Sequence, residues 1–360
     1  MQLDAAVQAM VDSGVHGLKP YVHSDCGGDG VWHGDVAHVR WTAQCVLGTI
    51  VRFQGADHRP WHDGPHDNVT VAATEDTIRR YLQMRYRLVP SLVAAGHQVT
   101  QHAFPLAARL DMFWPEHAPF SSDNMSYLFL NDTLVAPIVD MVRNVSTRAV
   151  WIPPGDWIDG WNGSVVTGPR LATVTQPYDR IPMWHRRGSF TVITSRPELR
   201  VARQDWSELT LEIFPDATDA ADGGRPSIQR HQKQVYERDS TTRTVLDMLT
   251  TDGSQLTMHI SAHPEQLARG WCLRVHLRPG QRVLAAEVDG RPATFANLSS
   301  DLSSHMVAPN VFVHLIPALE SAAHFPFGGV GTLPHAGSGP VAELTIKCAS
   351  TARVVTMVIG

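Results

Sequence analysis

Two stretches of this chain concentrate side chains able to hold a polar ligand: SDCGGDGVWHGD at 24–35 and RFQGADHRPWHDGPHD at 52–67. Carboxylates and an arginine can pair with hydroxyl groups, while a tryptophan face takes the C–H side of a sugar ring. A plainer reading stands beside it, in which Asp25 and Asp29 cap turns around Gly27, Gly28 and Gly30. His58, His62 and His66, interleaved with Asp57, Asp63 and Asp67, raise a third reading, a metal site. Ligands spaced by four would align on a helix, but Pro60, Gly64 and Pro65 forbid a regular helix there. No metal or other cofactor is therefore expected. The chain has no GxSxG elbow, no P-loop and no dinucleotide fingerprint; the glycines at 27–30 fit none of those spacings.

The elements that must carry these loops alternate. Leu3, Ala6, Val7, Met10 and Val11 recur at helical spacing, with Gly14 as the expected stop. GLKPYVHSD (17–25) reads as a short buried strand ending in a carboxylate. Gly34-Asp35 opens a second helix with Val36, Val39, Ala43, Val46 and Leu47 on one face, and TIVRF (49–53) follows as a second strand. Thr74 then caps one long helix facing inward through Ile78, Leu82, Tyr86, Val89 and Val93, with Gly96 beyond. Such alternation implies parallel β/α units, whose chemistry sits at the carboxyl ends of the strands, here at Asp25 and at Arg52 and Gln54. A complete barrel needs on the order of 200 to 250 residues, so two strands make only a remnant. From about residue 100 the pattern becomes short apolar runs between Pro, Gly and Asn turns, an all-β signal that continues to the end. The β-rich part is expected to bury its own core, leaving residues 1–96 as the weak part of the chain.

A chain of 360 residues exceeds one ordinary domain. With 43% hydrophobic and 18% charged residues it is neither disordered nor coiled coil. No apolar run reaches the roughly 18 residues of a bilayer span, and a net charge of −5 carries no basic excess for nucleic acid. Four cysteines, Cys26, Cys45, Cys272 and Cys348, are too few and scattered for a disulfide framework. Six of the seven asparagines lie in Asn-x-Ser/Thr: Asn68, Asn124, Asn131, Asn144, Asn162 and Asn297. About one such match is expected by chance, so the excess suggests a secretory or lysosomal route. The first residues carry no basic and apolar leader. Together these suggest that the natural N-terminus lies upstream.

Seven motifs then follow one another in order. SDCGG comes after a strand, VRW lies in the next helix, Arg52-x-Gln precedes RPW, and RYRLVPSL lies in the long helix. NDTLVAPIVD, VWIPPGDWIDGWNG and DRIPMWHRRGS complete the series. Together they resemble the C-terminal part of the family-31 glycoside hydrolases, the α-glucosidase family, over residues 1–195, and in outline from 205 onward. The resemblance implies the last β/α units of a (β/α)8 barrel at 1–99, a proximal β domain at 100–195 and a distal β domain at 196–360. The fold class is α/β followed by two β-sandwich-like domains.

The resemblance also implies a retaining glycosidase, which uses a nucleophile and an acid/base carboxylate roughly 5 to 5.5 Å apart. In the family both are aspartates upstream of the SDCGG segment, so no catalytic residue is expected here and the chain alone should be inactive. Asp25, Arg52 and Gln54 would bind the substrate, an oligosaccharide or glycoside. Gln54 falls where the family usually has histidine; it can donate and accept but carries no charge. Trp41 and Trp61 are expected to pack rather than stack on ligand, and Tyr86, Trp157, Trp161 and Trp184 to be structural. The alternative is a non-catalytic carbohydrate-binding or interaction protein.

Overall fold

The computed structural model describes residues 2–17, 19–23, 25–27, 34–54, 59–61, 71–195, 198, 200–215, 229–237, 242–251, 254–261, 269–277, 281–298, 341–347 and 353–359. They are mostly β-sheet with few helices and divide into two compact units. The first holds 1–85, 95–161 and 166–185; the second holds 86–94, 162–165 and 186–360.

Helix α1 (Leu3–His16) buries Leu3, Ala6, Val7, Met10 and Val11, the expected stripe. Gly14 does not stop it. A Cβ there would come 2.9 Å from the Pro105 Cβ, so the glycine admits a close approach inside the helix. Helix α2 (Asp35–Val46) is buried all round, its polar residues included. The Arg40 guanidinium donates to the Asp140 carbonyl and, at 3.5 Å, to the Ser146 hydroxyl.

Between these helices the expected strands are reduced to one parallel bridge, Cys26 to Phe53, with the Cys26 N–H donating to the Arg52 carbonyl at 2.7 Å. Beyond this bridge the described residues show no barrel remnant. The Thr49 hydroxyl accepts from the Val22 N–H at 3.1 Å and donates back to the Val22 carbonyl, taking groups a ladder would use there.

The single long helix is two, α3 (Val71–Arg87) and α4 (Val89–His102). Pro90 has no N–H to give the carbonyl four residues back, which breaks the ladder. That carbonyl, Tyr86 O, instead accepts from Gln204 Nε2 at 2.7 Å. Thr74 lies inside α3 and not at its start. The inward face runs Thr74, Thr77, Ile78, Tyr81 and Met84, sharing only Ile78 with the expected one. Steps of four residues overshoot a turn by about 40°, so the expected stripe drifts off the true face.

The first unit continues with β1 (Ala107–Arg109), β2 (Tyr127–Phe129), β3 (Thr133–Val135), β4 (Val145–Asp159), β5 (Val165–Pro177) and β6 (Met183–Arg186). They form one sheet in the order β1-β2-β3-β6-β4-β5. Leu128, Leu134, Val150, Ile152, Trp157 and Trp184 share its core. Trp157 and Trp161 donate their indole N–H groups to the Pro153 and Ile181 carbonyls, a structural role. Arg109 pairs with Asp12 of α1 at 3.2 Å, and Asn124 donates to the same carboxylate at 3.0 Å. The N-terminal helices therefore share a compact unit with this sheet.

The second unit is a β-sandwich. Its strands are β7 (Ser189–Thr194), β8 (Glu208–Phe214), β9 (Gln229–Tyr236), β10 (Arg243–Thr251), β11 (Gln255–Ile260), β12 (Gly270–His276), β13 (Val283–Val288), β14 (Arg291–Pro292), β15 (Ala296–Leu298), β16 (Val341–Lys347) and β17 (Arg353–Ile359). One sheet runs β14-β13-β17-β11-β10-β9 and the other β15-β16-β12-β8-β7. Alternation along β10 sends Thr244, Leu246, Met248 and Thr250 inward, where they meet Leu211, Ile213, Leu273 and Val275. At the edge strand β7, Ser91 donates to the Val192 carbonyl at 2.7 Å and Arg87 to that of Thr194 at 3.1 Å. Side chains thereby cover part of an exposed edge.

Candidate sugar-binding site

The site lies in the first unit. Residues 46–54 leave α2 under the control of Arg85, whose guanidinium donates to the carbonyls of Val46 (2.9 Å), Gly48 (2.7 Å) and Thr49 (2.8 Å). A cation at the carbonyl end of a helix also suits its dipole. Burial pulls this guanidinium's pKa down to about 10, still charged at neutral pH. The segment it anchors then carries Phe53 to its bridge with Cys26.

On the other side, a disulfide joins Cys26 to Cys45 of α2, with 6.0 Å between Cα atoms. Four cysteines, too few for a framework, still supply one bridge; its sequence separation is 19, and no short motif marks the pair. Cys272 is buried and outside any disulfide of the described residues, and Cys348 lies outside the described residues.

The two segments bring Asp25 and Arg52 together. Arg52 Nε lies 3.1 Å from Asp25 Oδ1, with the carboxylate side chain 19% exposed and the guanidinium 53%. The approach is close, yet among the described residues Oδ1 accepts no hydrogen bond. His23 Nδ1 stands 3.8 Å from the same oxygen. Sequence reasoning passed over His23, although on an extended backbone a residue two positions before Asp25 falls on its side. Gln54 is exposed, and no hydrogen bond or ion pair among the described residues joins it to Asp25 or Arg52.

Around the pair, Trp41 is fully buried and Trp61 is 62% exposed, so the first packs and the second does not. His38 Nε2 lies 3.2 Å from the Arg59 carbonyl, and its ring stands 5.9 Å from that of Phe53. Asp29, Asp57, His58, His62, Asp63, His66 and Asp67 lie outside the described residues. Among the described residues no group of three or more His, Cys, Asp or Glu could hold a metal. No helix among them is long and apolar enough to cross a membrane.

Residues 104–190 match the family model for the glycosyl hydrolase family 31 C-terminal domain. The chain is 23% identical over 190 residues to a 1,6-alpha-glucosyltransferase of Sporosarcina globispora, covering 51% of this chain and 14% of that protein. It is 22% identical over 221 residues to an alpha-xylosidase of Saccharolobus solfataricus, covering 59% and 29%. Among solved structures, the Flavobacterium johnsoniae GH31 dextranase complexed with glucose superposes with a TM-score of 0.72 at 17% identity, over 99% of this chain and 42% of that one. A mutant of the same dextranase is complexed with isomaltotriose. The expected resemblance to the C-terminal part of family-31 glycoside hydrolases is thus borne out. The chain spans less than half the length of each of these proteins.

Proposed function

We propose that this chain is the C-terminal part of a retaining α-glucosidase-type hydrolase, in which Asp25 and Arg52 hold the sugar residue to be transferred. The observation that carries this reading is the Asp25 carboxylate. It is largely buried and ion-paired with a guanidinium, and its Oδ1 accepts no hydrogen bond from the described residues. A sugar hydroxyl would supply the missing donor, and satisfying such a group is worth more than a surface contact. Arg52 would donate to a neighbouring hydroxyl, and Gln54 would reach the sugar as a neutral donor and acceptor.

In this reading residues 1–99 are the last β/α units of a barrel, whose other strands would flank the Cys26–Phe53 bridge. Residues 100–195 and 196–360 are the proximal and distal β domains. The nucleophile and the acid/base carboxylate come from sequence outside these 360 residues.

Two measurements test this. Pure 1–360 should release no p-nitrophenol from a p-nitrophenyl α-glucoside above the uncatalysed rate, because nucleophile and acid/base act as a unit. In the full-length parent, Asp25→Asn should lower kcat/KM about a hundredfold or more with Tm nearly unchanged. Active-site-dependent turnover by 1–360, or collapsed stability with normal kinetics in Asp25→Asn, overturns the reading. A full-length parent that binds such sugars without cleaving them would make it a carbohydrate-binding protein instead.

A further inference from the structure

The glycosylation pattern occurs six times in the sequence, and the fold treats its copies differently. Asn144 lies in a loop where Val142 is 81% and Val145 57% exposed, and its own side chain is exposed. Asn162 and Ser164 are both exposed in the turn that joins β4 to β5, where Asn162 Oδ1 accepts from the Ser164 N–H at 2.8 Å. Asn124 is the opposite case. It is half-buried, and its Nδ2, the atom that would carry a glycan, donates to Asp12 at 3.0 Å. Asn131 is half-buried too. The side chains of Asn68 and Asn297 lie outside the described residues.

A second observation is independent of these. Cys26 and Cys45 form a disulfide, and disulfides form and persist chiefly in oxidising compartments. Those are the compartments in which asparagine-linked glycans are attached.

The structure assigns Asn144 and Asn162 as attachment sites for N-linked oligosaccharides, and leaves Asn124 and Asn131 unmodified. This assignment is independent of the sugar pocket. The co-reactant is an oligosaccharide carried on a polyprenyl diphosphate. Asparagine Nδ2 bonds to the anomeric carbon, the bond from that carbon to the diphosphate oxygen breaks, the polyprenyl diphosphate leaves with the electron pair, and one amide proton is released. Transfer precedes folding, so a buried acceptor hydroxyl such as that of Ser146 does not decide the outcome. What decides it is the room the finished fold leaves at the asparagine itself: Asn144 and Asn162 are exposed, whereas Asn124 and Asn131 are half-buried and a chain carrying a glycan there does not reach this fold.

The test is made on the natural protein, purified from the organism that makes it. Peptide-N-glycosidase in heavy-oxygen water converts each glycosylated asparagine to a labelled aspartate, which peptide mass spectrometry locates. Labels are expected at 144 and 162 and absent at 124 and 131. Expressed in a secreting eukaryotic host, Asn144→Gln and Asn162→Gln should each remove one step in gel mobility. Ser164→Ala should remove the Asn162 step and Ser164→Thr keep it. Unmodified asparagine at 144 and 162, or a glycan on Asn124 or Asn131, overturns the assignment.

Discussion

The Tyr86 carbonyl, which Pro90 cannot bond, is taken by the Gln204 amide at 2.7 Å. Gln204 is itself fixed in place, since the Trp206 indole donates to its Oε1 at 3.1 Å and the residue is 2% exposed. A side chain 118 positions away thus replaces the helix's own missing donor.

Replacing it with an apolar residue leaves a buried carbonyl unmet. Gln204→Leu should destabilise the chain by about 1–3 kcal/mol in urea unfolding. In a Pro90→Ala background, where a backbone N–H returns, the same change should be smaller; equal losses in both backgrounds would refute the link.

The Cys26–Cys45 disulfide closes a loop with a sequence separation of 19. Its removal by reductant or by the double Ala substitution should lower stability by about 3 kcal/mol, from the freedom regained by the unfolded chain. Calorimetric melts with and without reductant measure this, and no shift in Tm would contradict it.

Glu212 of β8 is buried between an arginine and a histidine. Arg274 Nη1 lies 2.7 Å from one carboxylate oxygen and His276 Nε2 2.7 Å from the other. Burial works to raise its pKa but is outweighed by Arg274 and His276, which hold it well below the usual carboxylate range. A depressed carboxylate contributes stability above its unfolded pKa, about 4.3 for Glu, and that contribution fades as pH falls toward the folded value. Asp140 behaves likewise: burial opposes ionisation, but N–H groups of Arg143 and Val142, the Ser146 hydroxyl and Arg40 hold it at about 2. Stability should therefore fall steadily below about pH 4. Glu212→Gln, which removes the charge from between two half-buried partners, should cost about 1–3 kcal/mol at pH 7 and flatten that acid slope.

Gly168 of β5 sits against β4 so closely that a Cβ would come 1.9 Å from the Pro153 carbonyl oxygen. Backbone cannot step aside as a side chain can. Gly168→Ala should destabilise by about 1–3 kcal/mol or more; a neutral result in a denaturant titration would mean that the strands part freely there.

What the sequence made legible were features carried by local spacing. The stripe of α1 and the short strands after residue 100 follow from side-chain period alone. Asp25 and Arg52 were legible as candidates, and the structure brings them together. The break at Pro90 was also legible, since the missing N–H is a local fact, but the apolar spacing on either side drew the eye past it. The Cys26–Cys45 pair, the Thr49 grip on Val22 and the Gln204 bond are different in kind. Each joins residues far apart in sequence, and no local pattern specifies which distant group completes a valence.

The backbone carrying Asp25 is tied at its next residue in two ways: by the bridge to Phe53, of which the N–H bond to Arg52 is part, and by the covalent link to α2. The freedom of that stretch of backbone is surrendered when the chain folds, before any ligand arrives. For a ligand that docks there as proposed, the backbone beneath the carboxylate is ordered beforehand, and that part of the ordering cost has been met by folding.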